Sequence, residues 1–184
     1  MQNTITIAVV VGTTRVRRES IKPARYIADF ARNLPGVAVI FVDPMDFNFP
    51  GDGNDPEGKD SRYTEIVRKA DAFFIVTPEY NHSFPGSLKR MLDSELELYN
   101  HKPVAFAGTS SGNWGGVRAV ESLLTAVRET GLVAISWDVY FPRVQEIFHA
   151  DGSVKDEFRE HYEHSLSKLF DELLLLARLF KTIR

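Results

Sequence analysis

The 184-residue sequence carries 43% hydrophobic and 26% charged residues, values ordinary for a globular chain, which argue against disorder. Its formal net charge of −3 argues against a nucleic-acid binder, which would show a basic surplus. There is no cysteine, so disulfides, thiolate nucleophiles, iron–sulfur ligation and thiol redox chemistry are excluded. Any electrons the protein handles must travel on a bound cofactor.

Met1 to Thr4 is polar and lacks the basic-then-apolar layout of a secretory signal. Ile5 to Val11 (ITIAVVV) is a continuous β-branched run, the mark of a strand buried on both faces. After the polar loop Gly12 to Ser20, apolar residues at Ile21, Ala24, Ile27, Ala28 and Ala31 keep helical spacing until Pro35-Gly36. Val37 to Val42 is the second expected strand. Residues 44 to 60, rich in proline, glycine and acidic residues, read as a long loop with Phe47 and Phe49 hooked onto the body. A helix ending over Arg62 to Lys69 leads into a third buried strand, Ala72 to Val76. Helical spacing resumes after Pro85-Gly86 through Leu88, Met91, Leu92 and Leu96. Val104 to Ala107 is the fourth strand, Val117 to Val127 a helix, and Leu132 to Trp137 the fifth strand. From Glu157 to Arg184 the apolar residues again keep helical spacing. The longest uncharged apolar run there, Leu173 to Ala177, falls far short of the ~20 residues a bilayer needs, so the chain reads as cytoplasmic and free of membrane contact.

Strand and helix alternate five times without a linker or repeat. That pattern predicts one α/β domain over residues 1–184: an open parallel sheet with helices on both faces. Five strands favour the order 2-1-3-4-5. In such a sheet the ligand sits beyond the carboxyl ends of the strands, so the loops after strands one, three and four should line the site. The first, Gly12 to Ser20, offers three arginines, two threonines and a serine at a strand-to-helix turn, where free N–H groups and the helix dipole favour an anion. Hydroxyls and guanidinium forks suit a phosphate monoester, although the loop matches neither the P-loop nor the GxGxxG spacing. A solvated basic turn is the alternative reading. The second, Thr77 to Gly86, is stiffened by two prolines and suits either a structural turn or backbone recognition of a flat heterocycle. The third, Gly108 to Gly116, has four glycines among small hydroxyl residues, so its backbone can approach a ligand closely or simply be flexible. The predicted topology brings all three loops to one edge.

These loops carry a resemblance. GTTR-x4-S in the first, PEYNHSFPGSLKRMLD (Pro78 to Asp93) in the second and SSGNWGGVRA (Ser110 to Ala119) in the third are similar to the NADPH-dependent FMN reductase family, over roughly residues 4 to 140. That family includes azo-, quinone- and chromate-reducing members. The resemblance implies a flavodoxin-like fold, FMN as cofactor and NADPH or NADH as electron donor. It implies that Thr13, Arg15 and Ser20 bind the FMN phosphate, with Arg18 and Lys22 as helpers. It implies that Pro78, Glu79, Tyr80 and Asn81 contact the flavin ring, largely through the backbone. Ser110, Ser111, Gly112, Gly115 and Gly116 would hold the pyrimidine edge. The commonest first loop of the family has serine at the place of Thr13 and often proline-glycine at Val16-Arg17. Arg17 in place of glycine puts the loop's path in doubt. No side chain is required as a general acid or base, and none is assigned a catalytic role.

Other features have two readings each. His161 and His164, three apart on a helix, suit a metal or, more simply, a solvated face. Asp52, Asp55, Glu57 and Asp60 read as a solvated loop rather than a cation site. Trp114 could stack on substrate or pack under its loop. Phe47 and Phe49 could anchor locally or cover a neighbouring subunit's site. The last helix has more apolar surface than one stripe requires, which suggests contact with another subunit, and the family resemblance implies a homodimer or homotetramer. The expected activity is NAD(P)H-dependent reduction of a small acceptor through FMN. The rivals are a flavodoxin-type electron carrier, and a phosphate-binding enzyme that would need a nucleophile where Gly12 and Thr77 stand.

Overall fold

The computed structural model describes residues 4–184, so Met1 to Asn3, part of the segment read for a signal, lie outside the described residues. The strands are β1 (Ile5–Val11), β2 (Val37–Val42), β3 (Ala72–Pro78), β4 (Lys102–Thr109) and β5 (Leu132–Phe141). The helices are α1 (Ile21–Arg32), α2 (Ser61–Lys69), α3 (Gly86–Asp93), α4 (Val117–Glu129), the single turn α5 (Val144–Ile147) and α6 (Asp156–Lys181). The strands pair in parallel in the order 2-1-3-4-5, as expected of a flavodoxin-like sheet. Among the described residues, no helix is long and apolar enough to cross a membrane.

Burial explains the residue choice. β1, β3 and β4 are covered on both faces, which is why their sequences are apolar without alternation. On one face Ile7, Val9, Phe74 and Val76 pack with Ile27 of α1 and with Leu166, Phe170 and Leu173 of α6. On the other, Val10, Phe73, Ile75 and Phe106 pack with Val67 of α2, Met91 of α3 and Leu123 of α4. Each such side chain contributes ~1.5–3 kcal/mol relative to exposure. Within the second layer the hydroxyls of Tyr63 and Tyr99 bond each other at 2.7 Å, and burial drives the tyrosine pKa values up.

The parallel register decides where the site forms. Val11 is level with Val76, Thr77 with Gly108 and Pro78 with Thr109. The carboxyl ends of β1, β3 and β4 therefore finish together, and their loops share one edge.

Several elements differ from expectation. β5 runs on to Phe141 rather than ending at Trp137, because an edge strand tolerates the polar and half-exposed residues that interrupt its pattern. α3 ends at Asp93, so Leu96, counted as helical, is exposed and precedes a separate 3₁₀ turn. α5 was not expected at all. The last helix spans Asp156–Lys181 rather than 157–184. The 44–60 loop contains only two 3₁₀ turns, Pro44–Asp46 and Pro56–Gly58. Its phenylalanines anchor locally: the Phe47 and Phe49 rings lie edge-on to Tyr63 at 5.7 and 5.4 Å. Arg90 of α3 cross-ties the loop by donating to the carbonyls of Pro50 (2.8 Å), Gly53 (2.8 Å) and Gly58 (2.6 Å).

Candidate functional site

A cleft of about 190 Å³ opens at the shared edge. The first loop supplies Arg15, Arg17, Arg18, Glu19 and Ser20; the second supplies Pro78, Glu79 and Tyr80. Thr109, Ser110, Ser111 and, from α5, Val144 close the third side. The volume is below the ~300–1,000 Å³ that encloses a whole ligand, so the cleft has room for only part of one.

The first loop starts at Gly12, whose N–H donates to the carbonyl of Val76 at 2.8 Å. A Cβ there would stand 2.8 Å from that oxygen and 2.9 Å from Thr77 Cα, so only glycine permits the approach of β1's end to β3. Thr13 is buried and does not line the cleft. Its hydroxyl accepts from the Arg15 N–H at 3.2 Å and bonds the Tyr80 hydroxyl at 3.0 Å, tying the first loop to the second. Arg18 forms an ion pair with Asp43 at the end of β2 and donates to the Thr13 carbonyl at 3.4 Å. Lys22 is held by Glu19 at 2.7 Å. Arg15 and Arg17 line the cleft, and among the described residues neither guanidinium has a carboxylate within ion-pair distance.

Ser20 is the informative residue. It stands at the N-cap of α1 but makes no capping bond, and its buried hydroxyl has no hydrogen-bond partner. A buried hydroxyl without a partner costs free energy, and this one belongs to a residue that lines the cleft. The first turn of α1 contains no acidic residue, which leaves the positive end of its dipole free for an anion.

The second loop is fixed to the third by the Glu79 N–H, which donates to the Thr109 carbonyl at 3.1 Å. Glu79 also pairs with Arg118 of α4 at 2.6 Å through Oε1, while its buried Oε2 has no partner. Reciprocal backbone bonds of 2.8 and 3.0 Å join Tyr80 and Ser83 across a tight turn. The two residues between them, Asn81 and His82, both adopt positive φ (50° and 66°), a conformation that asparagine and histidine tolerate better than most residues. Asn81 is exposed on this turn and does not line the cleft.

The third loop is packed rather than flexible. Gly116 caps α4 with φ 88°, and a Cβ there would meet Thr109 N at 2.5 Å. Gly115 lies against Tyr140, and Gly112 faces open space; none of these three glycines reaches the cleft. The segment after β5 braces the loop from outside: the Ser110 N–H donates to Phe141 O at 3.2 Å, Val144 N–H to Ser110 O at 3.0 Å and Arg143 N–H to Gly112 O at 2.9 Å. Beneath, the Tyr140 hydroxyl donates to Asp138 at 3.0 Å, and burial raises both groups above their ordinary pKa ranges. Trp114 is 65% exposed, which removes the packing-under reading, and the Arg118 guanidinium sits over its ring at 5.5 Å.

Of the predicted site residues, then, Arg15, Arg18, Ser20, Pro78, Glu79, Tyr80, Ser110 and Ser111 meet at the cleft. Thr13, Asn81, Gly112, Gly115 and Gly116 shape the loops around it. Arg17, Glu19, Thr109 and Val144 line it without having been in the predicted set; Val144 comes from a segment with no recognisable motif. Among the described residues no group of three or more histidine or acidic side chains is placed to hold a metal, and His161 and His164 lie with Glu157 and Glu160 on an open helix face.

The chain is similar to proteins of known activity. A quinone reductase of Pseudomonas putida is 26% identical over 166 residues, covering 86% of this chain and 89% of that protein. A 2-hydroxy-1,4-benzoquinone reductase of a Burkholderia species is 31% identical over 85% of this chain and 88% of that one. Among solved structures, a flavoenzyme NAD(P)H:(acceptor) oxidoreductase from Paracoccus denitrificans superposes with a TM-score of 0.75 at 24% identity, covering 96% of this chain and 99% of that one. That structure and a Pseudomonas aeruginosa flavodoxin (TM-score 0.55, 14% identity, 89% and 99% covered) share the fold. The sequence profile of the NADPH-dependent FMN reductases matches residues 5–145, a span that begins at β1 and ends in α5, and so contains all three loops of the cleft. The chain belongs to the NADPH-dependent FMN reductase family.

Proposed function

We propose that the protein is an NAD(P)H-dependent oxidoreductase that uses bound FMN to pass electrons to quinones or similar small acceptors. The observation that carries this reading is the buried, unpartnered Ser20 hydroxyl beside two arginines without carboxylate partners, at the sheet edge where the family's loops converge. FMN, when bound, supplies the hydride and electron chemistry. The chain's part is to hold and enclose it. Ser20, Arg15 and the N-terminus of α1 fit the phosphate, with Arg18 keeping the loop in place through Asp43. Pro78, Glu79 and Tyr80 fit the ring through a backbone that the Glu79 N–H fastens to Thr109, with the Tyr80 hydroxyl bonded to Thr13. Ser110 and Ser111 fit its polar edge, on a loop that Gly112, Gly115 and Gly116 shape. The free Glu79 Oε2 is an acceptor for a ring N–H. Trp114, exposed on the third loop and backed by Arg118, offers a face for a flat acceptor.

We further propose that residues 1–184 work as one FMN-binding domain in the cytoplasm, as a homodimer or homotetramer. The exposed side chains Leu175, Leu179 and Ile183, four apart along α6 and its end, support the oligomer, and light scattering tests it. The activity is tested by anaerobic stopped-flow mixing of FMN-loaded protein with NADPH and with NADH. Bleaching of the flavin band, followed by reoxidation on adding a benzoquinone, is expected. A flavin that stays oxidised with both nucleotides would make the protein an electron carrier, and failure to bind FMN would end the proposal.

A further inference from the structure

The first loop carries more positive charge than its carboxylate partners neutralise. Arg18 is neutralised by Asp43, and the loop's own acid, Glu19, is engaged by Lys22. That leaves Arg15 and Arg17, two exposed cations two residues apart on one short loop, both lining the cleft and neither paired with a carboxylate among the described residues. The phosphate subsite proposed above is complete without Arg17: it has the Ser20 hydroxyl, Arg15 and a helix N-terminus free of acids. Beside Arg17, Val16 is 84% exposed, which places this stretch on the solvent side of the loop, where a second molecule would enter. An unpaired guanidinium at such a rim suits a phosphate oxygen, to which it can offer two parallel N–H donors.

We infer that Arg17 binds a second phosphate, one belonging to the incoming nicotinamide nucleotide. The inference rests on the FMN reading of the cleft. Two phosphates of that nucleotide have the required chemistry: the pyrophosphate common to NADH and NADPH, and the 2′-phosphate that only NADPH carries.

The experiment uses FMN-loaded protein, unaltered and as Arg17→Gly and Arg17→Lys, titrated calorimetrically with the unreactive NADP⁺ and NAD⁺; FMN affinity is measured separately by flavin fluorescence. Arg17→Gly is expected to hold FMN within twofold of the unaltered protein and to bind NADP⁺ about three- to tenfold more weakly at low salt, with the gap closing as salt screens the contact. Arg17→Lys should recover part of the loss. Weakening of NADP⁺ alone assigns the residue to the 2′-phosphate; equal weakening of both nucleotides assigns it to the pyrophosphate. Unchanged affinity for both nucleotides overturns the inference, as does a loss confined to FMN, which would make Arg17 a second ligand of the flavin phosphate. Failure of the unaltered protein to bind FMN is a different result, since it removes the flavin reading itself.

Discussion

Ser20→Ala separates a ligand-binding hydroxyl from a helix cap, because the two roles move stability in opposite directions. As a cap, Ser20 would cost ~1 kcal/mol of stability when removed. The structure shows no capping bond and a buried hydroxyl with no partner, a state that costs ~1–3 kcal/mol. Removing the hydroxyl from flavin-free protein should therefore be neutral or stabilising by about 1 kcal/mol, a rise of ~2–4 °C in Tm for a chain of this size. In the FMN complex the same change deletes a hydrogen bond to a charged phosphate, ~1.5–3 kcal/mol, which raises the FMN Kd roughly ten- to hundredfold. Urea unfolding followed by circular dichroism reads the first quantity, and quenching of flavin fluorescence reads the second. A flavin-free variant that loses 1 kcal/mol or more, or an unchanged Kd, would refute the reasoning.

Further perturbations probe the scaffold around the cleft. Gly116→Ala places a Cβ 2.5 Å from Thr109 N at φ 88°, and left-handed strain of ~1–2 kcal/mol plus overpacking of ~1–3 should cost about 2–5 kcal/mol in urea. Gly112→Ala, in open space, should stay within ~0.5 kcal/mol; equal effects at the two glycines would contradict the packing described. Arg90→Ala releases three loop carbonyls, so limited proteolysis should cut within residues 51–58 severalfold faster while global stability falls by about 1–2 kcal/mol. Burial lowers the Lys102 pKa to about 8, with the Arg184 cation adding to the effect and Asp71 opposing it. While folded and unfolded states are both protonated the buried ammonium is a penalty, and it is relieved as pH rises from about 8 toward the free lysine range. Urea midpoints should therefore climb between pH 8 and 10, and Lys102→Met should flatten that slope.

What could be read from the sequence divides along physical lines. β1, β3 and β4 were legible because strands covered on both faces must be apolar without interruption, and their order followed from strand count. β5 was truncated because Asp138 looks like a strand end, whereas on an edge strand its carboxyl is satisfied in part by Tyr140. Leu96 was assigned to α3 because its spacing is helical; the turn at Ser94, whose hydroxyl bonds the Met91 carbonyl, ends the helix first. In the site, residue types foretold the phosphate chemistry of the first loop but not its internal pairings. Nothing in the string Thr13 to Ser20 says that Thr13 is taken by Tyr80, or Arg18 by Asp43, both far along the chain. Val144 was invisible for the same reason: its role comes from backbone bonds to Ser110, which leave no trace in side-chain type.

The exposure of Trp114 decides how this protein can be observed. The chain has two tryptophans, and the other, Trp137 on β5, is also 52% exposed. Neither indole enters the core, so emission should shift little when the sheet melts, and a fluorescence denaturation curve would be nearly blind to the event it is meant to follow. The same placement makes Trp114 a built-in reporter of the third loop. A flavin absorbs where tryptophan emits, so quenching of this indole should follow cofactor loading directly, and Trp114→Phe would leave a Trp137 signal against which to calibrate it.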